Sequence, residues 1–166
     1  MAKIKLGGKT IETSGNLPEI GTQAPDFQLT TTELEDKSIN DFKGSRIIMN
    51  IFPSIDTNVC ALSVSKFNEE VSKLENTQLL SISKDLPFAQ KRFTEGSELE
   101  NSINLSDFRN GNFGKNYGVE MITGPLKGLL SRAVVVLDEE GKVIHTEQVA
   151  EIGEEPDYQA TLNSLK

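Results

Sequence analysis

The sequence predicts one α/β domain over residues 1–166, a mixed β-sheet flanked by helices with an N-terminal β-hairpin. Three observations carry that prediction. Arg46-Ile-Ile-Met-Asn-Ile-Phe52 is a near-continuous apolar run, the pattern of a strand covered on both faces. Cys60, Val64, Phe67, Val71 and Leu74 recur at steps of four, three, four and three. That stripe marks one face of an amphipathic helix of about four turns. Ala133-Val-Val-Val-Leu137, the turn Asp138-Glu-Glu-Gly141 and Lys142–Val149 form a closing hairpin. Strands that alternate with helices and end in an antiparallel pair make the sheet mixed.

The remaining elements follow in chain order. Lys3 to Thr13 alternates Ile4 and Leu6 and, past Gly7-Gly8, Ile11, which predicts the N-terminal hairpin with a Gly-Gly turn. Pro18 to Pro25 reads as a loop, with a short strand at Phe27–Leu29. Pro53-Ser-Ile-Asp-Thr-Asn-Val59 breaks the chain between the central strand and its helix. Leu79–Ile82 returns as a strand. Pro87 opens a second helix where its missing N–H costs least, with Leu86, Ala89 and Phe93 on one face. Ile103–Leu105 is a weak third strand, and Asn110 to Lys127 reads as a long glycine-rich loop with at most one turn of helix. Tyr158, Leu162 and Leu165 end the chain on a helix started by Pro156. No repeat, linker or low-complexity segment divides the chain.

Composition narrows the function. Lys+Arg 17 against Asp+Glu 25 gives a net charge of −8, which repels nucleic acid and anionic membranes. One Cys and one His cannot supply the three or four ligands of a zinc site, and no Asp-x-Asp-x-Asp-Gly arrangement offers a calcium loop. No glycine-rich strand-to-helix loop has phosphate-binding spacing. We assign no cofactor and no metal. A single Cys forms no intramolecular disulfide, and Met1-Ala-Lys-Ile-Lys-Leu-Gly-Gly lacks the apolar stretch of a signal peptide. No run reaches the length of a membrane span. The expectation is a cytoplasmic protein.

Cys60 sits on the apolar stripe of its helix, where a lone Cys is usually a small core hydrophobe. Its neighbours argue for more. With Asp56 or Thr57 as N-cap it falls in the first helical turn, at the carboxyl end of the most buried strand, where open α/β sheets place their sites. Thr57 can turn its hydroxyl towards the sulfur or towards something bound there. A free thiol with pKa ~8.5 is only about 3% thiolate at neutral pH, and reaching mostly thiolate takes roughly 3.4 kcal/mol. A helix N-terminus gives ~0.3–1 kcal/mol, rising to ~2 at best, so a cation must supply the rest. Arg132 is the best candidate, because a guanidinium directly before Ala133-Val-Val-Val is costly unless paired. Lys84, Lys91, Arg92 and Lys127 read as solvated.

Pro53-Ser-Ile-Asp-Thr57-Asn-Val-Cys60 resembles the Pro-x-x-x-Thr-x-x-Cys signature of peroxiredoxins. Four longer strings resemble the bacterial thiol peroxidase subfamily: Phe52-Pro-Ser-Ile-Asp-Thr57, Asp85-Leu-Pro-Phe-Ala-Gln-Lys-Arg-Phe93, Leu129-Leu-Ser-Arg-Ala-Val-Val-Val-Leu-Asp138 and Glu151-Ile-Gly-x-Glu-Pro-Asp-Tyr158. The resemblance covers essentially the whole chain. It implies a thioredoxin-like fold, a homodimer, and an enzyme that reduces hydrogen peroxide and organic hydroperoxides with a thioredoxin-type reductant. It makes Cys60 the peroxidatic thiolate that becomes sulfenic acid. Thr57 would bond the peroxide and the sulfur, Arg132 would favour the thiolate and hold the peroxide oxygens, and Pro53 would shield the sulfur from water.

Two positions depart from the subfamily. Asn58 stands where it usually has Pro, which loosens the first turn without removing chemistry. Thr94 stands where it usually has the resolving Cys, and a hydroxyl cannot condense with a sulfenic acid to give a disulfide. The expected resolution is therefore by an external thiol, a small molecule or a thioredoxin-like protein. Two other classes compete. A cysteine hydrolase would need His145 as base, yet that residue sits in the alternating strand Val143–Val149 and reads as solvent-facing. A catalytically impaired relative, acting as a binding or redox-sensing module, would explain the loss at 94; the retained Pro53, Thr57, Cys60 and Arg132 count against it.

Overall fold

The structure is a computed structural model that describes residues 1–95 and 101–166. Its elements are β1 (Lys3–Leu6), β2 (Lys9–Glu12), β3 (Leu29–Thr31), β4 (Asp36–Lys37), a 3₁₀ turn at Ile39–Phe42, β5 (Arg46–Ile51), α1 (Asn58–Val71), β6 (Thr77–Ser83), α2 (Pro87–Glu95), β7 (Ser102–Ser106), α3 (Asn112–Asn116), β8 (Ala133–Leu137), β9 (Val143–Gln148) and α4 (Tyr158–Asn163). Seven strands form one mixed sheet in the order β4-β3-β7-β6-β5-β8-β9, and β1 and β2 form a separate antiparallel pair.

The apolar run at 46–52 becomes β5, which has β6 parallel on one side and β8 antiparallel on the other. Side chains alternate across the sheet with period two. Ile47, Met49 and Ile51 join Phe27, Leu80, Ile82, Phe113 and Val135 on one face. Ile48, Leu79, Val134 and Val136 pack under Phe67 and Val71 of α1 on the other. Burial of β5 on both faces is what the unbroken apolar pattern requires.

Register brings the chemistry to one edge. Ile51 pairs with Ala133 and with Ile82, so the residues leaving β5, those entering β8 and those leaving β6 converge at one end of the sheet. The β1–β2 hairpin reaches the same end. The Lys5 N–H donates to the Ala150 carbonyl at 2.8 Å, and the Ile152 N–H donates to the Lys5 carbonyl at 2.9 Å.

Three local expectations are corrected, and one unassigned stretch gains elements. The strand expected at Phe27–Leu29 lies at Leu29–Thr31, because Phe27 is drawn into the core beside Phe42 and Phe113. The short β4 and the 3₁₀ turn carry no strong periodic pattern and lie in a stretch to which the sequence assigns no element. On α2 the buried positions are Pro87 and Gln90, with Leu86 53% exposed, because Gln90 turns inward to donate to the Leu105 carbonyl. The last helix starts at Tyr158, two residues after Pro156, because the Asp157 carboxylate caps it by accepting from the Ala160 N–H.

Glycine is obligatory at 118. It has φ +68°, and a Cβ there would stand 2.4 Å from the Asn16 carbonyl oxygen and 2.7 Å from the Asn16 nitrogen. Left-handed strain and a backbone clash act together at this position. Gly118→Ala is expected to destabilise the fold by about 3 kcal/mol, read as a lowered urea midpoint with an unchanged slope.

Candidate active site

The site begins where β5 ends. Phe52 and Pro53 are buried, and the chain then turns through Ser54–Asp56 to Thr57, the N-cap of α1. Thr57 does not cap with its side chain. Its hydroxyl donates to the Ser54 carbonyl at 3.0 Å, as does its N–H at 3.2 Å. With its proton committed there, the hydroxyl oxygen offers lone pairs elsewhere, and Thr57 lines the cavity described below. Asn58 is the first helical residue. The N–H there has no intrahelical acceptor, so exchanging a proline for asparagine removes no bond from the helix.

Cys60 is the third residue of α1 and fully buried, among Phe52, Ile55 and Val64, with Phe93 of α2 against the cluster. Its backbone is fixed from below: the Ser63 hydroxyl donates to the Cys60 carbonyl at 2.8 Å and accepts from Asn50 Nδ2 of β5 at 3.1 Å. Arg132 is only 2% exposed. Its Nη2 donates to Cys60 Sγ at 3.2 Å and its Nε to the Ile152 carbonyl at 2.8 Å. Its Nη1 is buried without a partner. The bonds of this guanidinium thus go to a sulfur and a carbonyl, and among the described residues no carboxylate pairs with it. A buried cation in that state attracts a negatively charged or acceptor atom brought within reach of Nη1.

The backbone of Arg132 is held as firmly. Its carbonyl accepts from the Val149 N–H at 3.0 Å and from Gln148 Nε2 at 2.9 Å, and Gln148 Oε1 accepts from the Ser131 hydroxyl at 3.1 Å. A cavity of about 260 Å³ opens beside the guanidinium, walled by Pro53, Thr57, Val59, Leu126, Leu129 and Ile152, with Leu6 reaching in from the hairpin. Cys60 itself is not a wall residue; Arg132 connects its sulfur to the cavity.

Pro53, Thr57, Cys60 and Arg132 are therefore gathered at one place, and His145 and Thr94 lie apart from it. His145 pairs with Val136, whereas the site end of β8 pairs Ala133 with Gln148. His145 is half-buried, with its Nε2 buried without a hydrogen-bond partner, where the alternation suggested a solvent-facing side chain. The Thr94 hydroxyl donates to the Gln90 carbonyl at 2.6 Å and accepts from Asn104 Nδ2 at 2.8 Å. Among the described residues no group of three or more His, Cys, Asp and Glu could hold a metal ion. No helix there is long and apolar enough to cross a membrane.

Sequence reasoning missed Ile152, Gln148, Ser63 and Asp85. Ile152 and Ser63 act through or upon backbone carbonyls, which no side-chain pattern reveals. Asp85, just before Pro87, has the look of an ordinary helix cap, yet its carboxylate turns back to the loop after β5.

The Ile152 carbonyl is steadied by the neighbouring Glu151, whose carboxylate accepts from the Gly7 and Gly8 N–H groups at 2.9 and 3.2 Å. Those donors hold its carboxyl below the ordinary 4.5. A depressed folded value stabilises the protein above the unfolded value, and that contribution is lost as pH falls through the folded one. Glu151→Gln is thus expected to lower the urea midpoint at pH 7 and to narrow the gap between the midpoints at pH 7 and pH 3.

Comparison with known proteins gives a consistent family. Residues 19–162 match the family model described as Redoxin. The chain is 50% identical over 165 residues to the thiol peroxidase of Corynebacterium glutamicum, covering 99% of each. A peroxiredoxin-like protein from Aquifex aeolicus superposes with TM-score 0.93 at 38% identity, over 99% of this chain and 96% of that one. A thiol peroxidase from Chromobacterium violaceum shares the fold, with TM-score 0.92 at 24% identity over 98% of this chain and 94% of that one.

Proposed function

We propose, for a chain that belongs to the Redoxin family and within it to the thiol peroxidases of the peroxiredoxin type, that Cys60 is the thiol that reduces the peroxide. The observation that carries this reading is the 3.2 Å contact between Arg132 Nη2 and Cys60 Sγ, made by a buried guanidinium whose Nη1 has no partner.

The Cys60 thiolate attacks the terminal oxygen of ROOH. The S–O bond forms as the O–O bond breaks, so sulfur loses two electrons and the peroxide gains them. Cys60 becomes sulfenic acid, and RO⁻ leaves and takes a proton from solvent as alcohol or water. Negative charge moves from sulfur to the departing oxygen during this step. Arg132 bonds the sulfur through Nη2, and its unpartnered Nη1 would meet the peroxide oxygens, so one fixed cation serves both ends of the transfer. Thr57 would accept the peroxide O–H through the lone pairs left by its bond to Ser54. Pro53 would keep water from the sulfur.

Thr94 cannot resolve the sulfenic acid. An external thiol R′SH would condense with it, releasing water and leaving Cys60–S–S–R′. A second thiol would then return Cys60–SH and release R′SSR′. Thioredoxin or a small thiol fits this role. The family further supports a homodimer, and the single cysteine supports a cytoplasmic location; sedimentation velocity tests the dimer. The rival hydrolase lacks a base at the sulfur, since His145 lies well along β8–β9 from it.

Intact mass after one equivalent of hydroperoxide, with a sulfenic-acid trap in parallel, tests the reading. Fast, stoichiometric trapping at Cys60 with no disulfide-linked dimer is expected; an unmodified thiol would overturn it. Arg132→Met is expected to slow oxidation of Cys60 by about 10²–10³. Thr94→Cys is expected to raise turnover with thioredoxin and its reductase, and an equal rate in both proteins would sink the external-thiol route.

A further inference from the structure

We propose that Asp85 is the positioning residue of this site, a carboxylate just past the neighbouring strand that grips the loop leading to Thr57 and Cys60. The inference rests on Cys60 being the reacting thiol.

Parallel pairing puts it there. Ile51 pairs with Ile82, and the Phe52 N–H donates to the Ile82 carbonyl at 3.1 Å, so β5 and β6 release their chains side by side. Asp85, two residues past β6, then takes three donors at 2.7 Å: the Ser54 hydroxyl on Oδ1, and the Ile55 N–H and the Ser83 hydroxyl on Oδ2. Bonds to a carboxylate are short and roughly twice as strong as neutral ones. Asp85 is itself tied to the sheet, since the Ser106 hydroxyl of β7 donates to its carbonyl.

The bonds run straight to the reacting groups. Ser54, fixed by Oδ1, presents the carbonyl that receives both the Thr57 hydroxyl and the Thr57 N–H. Ile55, fixed by Oδ2, is 2% exposed and packs in the cluster that surrounds Cys60. One carboxylate thus sets the direction of the Thr57 lone pairs and the entry of α1. Arg132 is held from the other side, through Ile152 and Gln148, and does not depend on Asp85. Removing Asp85 should therefore spare the contact with the sulfur and disturb the aim of the peroxide.

That split gives a readout that loss of stability alone would not move: the ratio of the rate of Cys60 oxidation by hydrogen peroxide to its rate of alkylation by neutral iodoacetamide. In Asp85→Ala, shown folded by circular dichroism, oxidation is expected to fall at least about thirty-fold while alkylation stays level or rises. Asp85→Asn keeps one acceptor oxygen and should recover part of the loss. If Asp85→Ala does not fold, Ser54→Ala removes the Oδ1 arm alone and should lower the same ratio about three-fold. A ratio within two-fold of the parent in the folded variants overturns the role of Asp85 and leaves Cys60 as the peroxidatic thiol. A parent whose Cys60 resists peroxide but accepts iodoacetamide overturns the reading of the site, and the inference with it.

Discussion

A fully buried guanidinium resting on a fully buried sulfur is the constraint around which this end of the molecule is arranged. Taking Arg132 out of water costs several kcal/mol unless its donors and charge are met. Its bonds to the Cys60 sulfur and the Ile152 carbonyl meet part of that need, and Nη1 stays unmet. Much of the surrounding structure serves this one group. The antiparallel pairing of β8 with β5 carries Arg132 to the end of the sheet where α1 begins. Gln148 and Val149 bond its carbonyl, and the β1–β2 hairpin grips the segment that supplies Ile152.

The hairpin is an example of how far that dependence reaches. As a two-stranded pair outside the main sheet it adds little core of its own, with Ile4 and Ile11 packing against Met121 and Ile152. It nevertheless places Leu6 in the cavity wall and, through Lys5, hydrogen-bonds the chain on both sides of Glu151. A peripheral element thereby becomes part of the frame around Arg132.

What the sequence discloses depends on how local the cause is. The strand at 46–51 and the helix at 58–71 were readable because burial on two faces, or on one stripe, prints a period into the residues themselves. Arg132 was readable because a charge set against Val134–Leu137 demands a partner. Thr57 was visible as a hydroxyl near the sulfur, but not that its proton goes to Ser54, since this depends on the path of the turn. Asp85 and Gln148 were invisible for a related reason: each meets its target only after two strands have paired. The inward turn of Gln90, which takes the buried face of α2 away from Leu86, is aimed at the Leu105 carbonyl, a group with no sequence signature.

The hydrogen bonds at Thr94 set what a substitution there would cost. The hydroxyl both donates to Gln90 and accepts from Asn104, whose residue is only 6% exposed. A thiol is a weak donor and a weaker acceptor, so a cysteine at 94 would weaken one of the two bonds of the Asn104 amide and leave the other, to the Gln90 carbonyl at 3.4 Å. The neighbourhood fits an oxygen, and a cysteine at 94 carries a modest folding penalty wherever Asn104 stands beside it.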